Sequence, residues 1–323
     1  RGLGVYAINM HHMKFDGPGL VRKPCLTDPE HHKALSQELA DKSAWLARFA
    51  PTAWLMGDEM ALGPENQFTD VCQSPTCLAG FRKYLRAVYG DVAALNASWK
   101  THLASFDEAK PLTFKQAQTS KNYAPWNDHR AYMDTVYAGA FAFARDVIAQ
   151  RDPAPLIGYS GGGTHHIAVN GYNRPLLYQT CKAVTDYGPD SPDLLRCFMT
   201  GPHVASWWWG MYGGGPEDNR RSTPWRLIFR GVNGSGFFAT YGAGYNIFSD
   251  FGVLDPDFTP KPNVADGLRQ DVRRLRRGLG KLLLSSRRLN DGIAVHYSMP
   301  SVRAAYVRDE APVNERMWNA ARW

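Results

Sequence analysis

Long apolar runs are absent from this sequence. Those present are short, Leu282 to Leu284 and Trp207 to Trp209 among them. Nothing nears the ~20 apolar residues of a membrane-spanning helix, so no membrane partner is expected. Charge is scarce as well: 21% charged residues beside 44% hydrophobic and 12% aromatic ones exclude a disordered chain. Cysteine is limited to five, an odd number, which argues against a disulfide framework in a chain this long. A glycine-rich turn after a first strand is missing too, and Gly161-Gly162-Gly163 fits the dinucleotide fingerprint poorly. Asp250-Phe251-Gly252 looks like the kinase magnesium motif, but neither the glycine-rich loop nor the catalytic loop precedes it. No repeat, low-complexity stretch or signal-like segment is visible. The sequence opens on Arg1, mid-element, so the expectation is a start that is processed, trimmed or internal to a longer protein. The compartment, cytoplasmic or secreted, stays open.

What is there amounts to 323 residues, enough for two domains or one large α/β barrel. Lysine plus arginine outnumber aspartate plus glutamate by 37 to 30, a net charge of +7. Much of that excess sits between Asp266 and Arg288. There Leu268, Val272, Leu275, Leu279 and Leu282 fall on one helical stripe with arginines opposite, the pattern of a solvated helix face over a core. No nucleic-acid motif accompanies it, so no nucleic-acid partner is expected; an acidic polysaccharide partner stays open.

Strand and helix signals alternate along the chain. Short apolar runs predict strands at Gly4–Asn9, Thr52–Met56, Leu156–Ser160, Lys182–Tyr187, Val204–Tyr212 and Gly236–Tyr241. Helical spacing predicts helices over Lys33–Phe49, Leu78–Tyr89, Asp91–Trp99, His129–Gln150 and Trp225–Val232. Alternation of this kind implies a parallel sheet, and the strands end in Glu59, Ser160, Asp186, Tyr212 and Tyr241. In a β/α barrel such strand ends carry the chemistry, which favours a (β/α)8 barrel.

Glu59 is the sharpest single residue. It follows Ala53-Trp54-Leu55-Met56 and the turn at Gly57, at the end of a rigid apolar strand. Surroundings of that kind raise a carboxyl pKa and suit it to general acid work; an ordinary loop carboxylate is the plainer reading. Downstream, Val71-Cys72-Gln73-Ser74-Pro75-Thr76-Cys77-Leu78-Ala79-Gly80-Phe81, then Tyr84-Leu85, Tyr89-Gly90, Leu95-Asn96 and Trp99, resembles glycoside hydrolase family 42. So do Cys25-Leu26-Thr27-Asp28-Pro29-Glu30 upstream and, more loosely, Pro224-Trp225-Arg226 with Gly231-Val232-Asn233-Gly234. That family comprises β-galactosidases and relatives with a clan A (β/α)8 barrel.

The resemblance implies a retaining glycosidase for β-galactosides or related β-linked sugars. Two carboxyl groups about 5 Å apart would flank the glycosidic bond. Glu59 matches the acid/base position after the fourth strand. Asp58 stands where the family has an asparagine that holds the sugar's 2-hydroxyl. The family's nucleophile has no acid at its matching place in Trp207-Trp208-Trp209-Gly210-Met211-Tyr212; the nearest glutamate is Glu217, in a glycine-rich loop. Asp186, His12, Trp209, Tyr212 and Tyr241 are expected to contact sugar, although the tryptophans serve equally as core. Cys25, Cys72 and Cys77 match three of four cysteines that hold a structural zinc in relatives, with Ser74 near the fourth. His31 or His32 would complete tetrahedral zinc; buried free thiols or a disulfide are the alternatives. Catalysis itself needs no cofactor. Cys181 and Cys197 read as core residues. If Glu59 closes strand four, the first two strands of the barrel are missing. The resemblance then divides the chain into a glycosidase barrel over 1–290 and the start of a flavodoxin-like domain, linked to trimer formation, over 291–323. The rival class is a carbohydrate-binding or inactive barrel, and a rival within enzymes is a glycosidase for acidic or sulfated polysaccharide.

Overall fold

The computed structural model describes residues 4–7, 14–15, 19–63, 69–162, 167–186, 191–209, 222, 225–237, 257–260, 269–287, 289, 292, 294 and 296–309. The chain divides into two compact units, residues 1–181 with 295–323, and residues 182–294. In the first, β1 (Gly4–Tyr6), β4 (Ala53–Asp58) and β5 (Ile157–Gly162) form a parallel sheet in the order β1-β4-β5. Val5 faces Trp54, and Trp54 faces Ile157. β2 (Lys14–Phe15) and β3 (Arg22–Lys23) make a small antiparallel ribbon that the sequence did not announce. Parallel strands buried on both faces read as unbroken apolar runs, as Ala53-Trp54-Leu55-Met56 does.

Five helices build the rest of this unit's first 150 residues: α1 (Pro29–Leu46), α2 (Pro75–Tyr89), α3 (Val92–Trp99), α4 (Phe114–Ser120) and α5 (Ala124–Ile148). Asp28 caps α1 by accepting from the Glu30 N–H, with Pro29 at the first position, so the helix starts four residues before the predicted Lys33. Leu35, Leu39 and Ser43 form its buried stripe. Trp45 and Phe49, although apolar, lie off that stripe and are exposed. They meet edge to face at 5.2 Å under the Arg48 guanidinium.

The block of residues shared with the resembled family is the packing of α2 and α3 on α5. Phe81 is fully buried, 6.2 Å from the Trp99 ring, 5.2 Å from His129 and 5.7 Å from Tyr132. Tyr89 Oη and Trp99 Nε1 both donate to Asp128 Oδ2, at 2.7 Å each. Burial pushes the Asp128 carboxyl up, against these two donors. Asn96 folds its amide back onto the Leu103 N–H and C=O at 2.8 and 2.9 Å, closing the turn after α3. After β5 comes α6 (Arg174–Thr180), and the helix Met299–Asp309 packs on α4 and α5 in this same unit. There Arg303 is buried against Asp134.

In the second unit β6 (Ala183–Asp186), β7 (Val204–Trp209) and β8 (Gly234–Phe237) are parallel, with α7 (Ser191–Phe198) between the first two. β8 begins two residues before the predicted Gly236. Asn233 sets its start: the Ala205 N–H donates to Asn233 Oδ1 at 2.8 Å, and Asn233 Nδ2 donates to the His203 carbonyl at 2.9 Å. The basic stretch is helical over 269–285 but turns at Gly278, where φ is 122°. That turn breaks the expected apolar stripe, and Leu282 is 60% exposed. Among the described residues no helix is long and apolar enough to cross a membrane.

Candidate active site and cysteine centre

Glu59 follows the carboxyl end of β4. Its backbone N–H donates to the Ser160 carbonyl of β5 at 2.8 Å, so the neighbouring strand fixes its position. Its φ is 50°, the left-handed region, two residues after Gly57 at 152°. A non-glycine residue there costs about 1 kcal/mol or more and persists where its surroundings over-determine it, as they do at functional sites. The next residues are tied down as well. Tyr137 Oη donates to the Met60 carbonyl at 2.7 Å, and Tyr172 Oη donates to the same oxygen. The Leu62 N–H donates to the Asn170 carbonyl at 3.1 Å. Arg22 Nε donates to the Leu62 carbonyl at 3.0 Å. A strained glutamate at a strand end thus stands on a clamped backbone.

Asp58, beside it, accepts from Ser160 Oγ at 2.6 Å. An asparagine would accept the same bond through its Oδ1 and present an amide donor on the other side, whereas Asp58 presents a second carboxylate oxygen. Ser160, read from the sequence only as a strand end, is therefore the group that orients Asp58. Asp186 closes β6 and Trp209 closes β7, both strand ends of the second unit. Glu217, His12, Tyr212 and Tyr241 lie outside the described residues.

The three cysteines expected together are together. Cys25 precedes α1, and Cys72 and Cys77 flank the start of α2. Their sulfurs lie within 4.8 Å of one another and are buried. Cys25 Sγ is 3.6 Å from Cys77 Sγ and 3.9 Å from Cys72 Sγ. Three ligands at about 2.3 Å from a tetrahedral ion are about 3.8 Å apart, so the triangle fits one thiophilic cation. All three are free thiols. Hydrogen bonds from Cys72 and Cys77 pull the Cys25 thiol well down, while its bond to the Cys25 sulfur pushes the Cys77 thiol up. The Arg22 N–H donates to Cys72 Sγ at 3.4 Å. Burial lowers the Arg22 guanidinium to about 10, with Tyr137 and the three sulfurs pulling it back up.

The expected histidine ligand is not part of this group. His32 Nε2 is 2.7 Å from the Leu26 carbonyl, and its ring stacks on Phe143 at 4.7 Å. His31 has no ring nitrogen within the 4.8 Å cluster. Hydroxyls surround the sulfurs instead: Thr27 Oγ1 is 3.2 Å from Cys25 and 3.2 Å from Cys77, and Ser74 Oγ is 3.1 Å from Cys25. Cys181 is buried as expected, but Cys197 is exposed, because it lies on the polar face of α7.

No protein-family model matches the chain, and no curated protein matches it by sequence. Solved structures do match. The β-galactosidase of the Antarctic haloarchaeon Halorubrum lacusprofundi has a TM-score of 0.65 at 16% identity, covering 89% of this chain and 47% of its own. The β-galactosidase of the psychrophilic Marinomonas ef1 has a TM-score of 0.60 at 17% identity, over 84% of this chain and 47% of its own. An apo exo-carrageenase of glycoside hydrolase family 42 from Bacteroides ovatus has a TM-score of 0.66 at 13% identity, over 90% and 44%. The chain spans less than half the length of each. At these identities the likeness shows the fold: parallel strands and surrounding helices of the β/α barrel kind.

Proposed function

We propose that the chain is part of a retaining glycoside hydrolase related to family 42, acting on β-galactosides or related β-linked oligo- and polysaccharides. The observation that carries this is Glu59: a strained, clamped glutamate at the carboxyl end of a parallel strand, in a fold shared with β-galactosidases. In this reading Glu59 protonates the leaving oxygen and then activates water, and Asp58, oriented by Ser160, holds a sugar hydroxyl. Glu217 is the candidate nucleophile, and retention requires that carboxyl and the acid to stand about 5–5.5 Å apart across the bond. His12, Asp186, Trp209, Tyr212 and Tyr241 are the candidate sugar-contacting residues. Zinc is the ion of the cysteine centre, where it braces the start of α2.

The test is a panel of aryl and natural glycosides with wild type and Glu59→Gln. The variant is expected to lose most activity on poor leaving groups and less on activated aryl glycosides, which need little protonation. Equal loss on both would reject the acid role. Trapping with a 2-fluoro glycoside should label Glu217, and a label elsewhere removes it. No hydrolysis by wild type and no label would favour a carbohydrate-binding barrel.

A second reading, a glycosidase for acidic or sulfated polysaccharide, is supported by the exo-carrageenase neighbour and the +7 charge. A sulfated galactan in the same panel separates it: preference over its neutral counterpart, abolished by salt, is its expected mark.

A further inference from the structure

A tetrahedral ion has four corners, and the three sulfurs occupy only one face. The zinc reading above therefore leaves a question that the geometry of this chain answers: what stands at the fourth corner. No histidine, carboxylate or fourth cysteine joins the group among the described residues. Ser74 Oγ is already used, accepting from the Cys77 N–H at 3.1 Å as the cap of α2. Thr27 Oγ1 touches two sulfurs and donates to Thr76 Oγ1 at 2.9 Å. Thr76 is exposed and Thr27 half-buried, so the hydroxyl side of the triangle opens toward solvent while the sulfurs themselves are buried. Protonated serine and threonine hydroxyls are poor zinc ligands but good partners for a bound water.

Charge points the same way. A divalent cation with three thiolates carries one net negative charge, and buried charge needs a partner. Arg22, 2% exposed and bonded through its backbone to Cys72, supplies one positive charge within range of all three sulfurs. A neutral fourth ligand leaves the buried site balanced. A fourth thiolate would leave one charge unmatched.

We infer that the cysteine centre is an open site, in which three thiolates hold the ion and the fourth position is an exchangeable water held by the hydroxyls of Thr27 and Thr76. The inference rests on the zinc reading. It makes the ion accessible to small soft donors from solvent, thiolates above all, and more readily lost to competitors than a four-cysteine centre.

Cobalt(II) is the probe, because its visible absorption reports both thiolate ligation and geometry. The chain, loaded with one cobalt per molecule, is titrated with 2-mercaptoethanol and, separately, with azide. An open site gives a saturable spectral change with an added sulfur-to-metal band for the thiol. Thr27→Cys, which offers a fourth sulfur, should abolish that response. It should also slow zinc transfer to a chromogenic chelator about tenfold or more, since even partners behind a ligand are worth about 10–100-fold in affinity. A cobalt spectrum indifferent to both additives in wild type overturns the open site while leaving the metal reading intact, and it does so even if Thr27→Cys fails to fold. Failure to take up one zinc or cobalt per chain overturns the metal reading itself.

Discussion

Gly80 sits inside α2, where alanine would ordinarily be better by up to about 1 kcal/mol. The structure reverses that expectation. A Cβ built on Gly80 would lie 2.1 Å from Tyr132 Oη and 3.1 Å from its Cζ. The ring has little room to retreat: Tyr132 is 7% exposed and lies 5.7 Å from the Phe81 ring and 5.8 Å from the Tyr84 ring. Moving it means shifting α5 against α2, and overpacking of that kind costs about 1–3 kcal/mol. Gly80→Ala is therefore expected to destabilise the chain by about 1–2 kcal/mol after the helix gain is credited. Tyr132→Phe removes the clashing oxygen and leaves the added methyl only the 3.1 Å contact with Cζ. The double variant should be more stable than Gly80→Ala alone, with a coupling of about 1 kcal/mol or more in a double-mutant cycle. Urea unfolding followed by tryptophan emission measures all four proteins. A neutral or stabilising Gly80→Ala, or additive effects in the cycle, would refute the close approach of α2 and α5.

Two further perturbations probe the same unit. Arg303→Ala leaves Asp134 charged and buried without its partner, at a cost of about 3–5 kcal/mol, and adding Asp134→Ala should recover part of that loss in the same urea assay. Asp128 has its folded pKa raised above the unfolded value, chiefly by burial, so the folded chain holds that proton to higher pH than the unfolded one does. Wild type should then lose stability relative to Asp128→Asn, which cannot ionise, as pH rises from about 4 through the raised folded pKa. A difference that stays constant with pH would show that burial does not govern this carboxyl.

The parallel strands were legible as short apolar runs, and β4, β5 and β6 fall within two residues of their predicted bounds, whereas the two-residue strands β2 and β3 carry too little pattern to read. Helix starts were less so. Asp28-Pro29 and Ser74-Pro75 are both cap-and-proline pairs, and both were passed over because the apolar repeats begin only at Leu35 and Leu78. α6 and α7 are seven and eight residues long, too short for a periodic signal to stand out. The motif that resembles family 42 folds as one unit, yet its Phe81, Leu85, Tyr89, Asn96 and Trp99 are packing residues. They speak for the fold and not for the chemistry. Three cysteines could be grouped through the resemblance to family 42. The hydroxyls around them could not, since Thr27, Ser74 and Thr76 are common turn and cap residues whose convergence depends on two helices starting side by side.

Arg22 was the least legible of all, because an arginine in a basic chain reads as surface charge. Its placement joins the two candidate sites. Through its backbone N–H it holds Cys72 Sγ, and through Nε it holds the Leu62 carbonyl, three residues after Glu59. Leu62 in turn bonds Asn170, and Met60 is held by Tyr137 from α5 and by Tyr172. The path from the sulfurs to the backbone that follows Glu59 thus runs through one buried side chain and a few backbone groups. Such a link ties the backbone after Glu59 to the cysteine centre. The strain at Glu59 is then sustained from two directions: from β5 through the Ser160 carbonyl, and from the cysteine centre through Arg22.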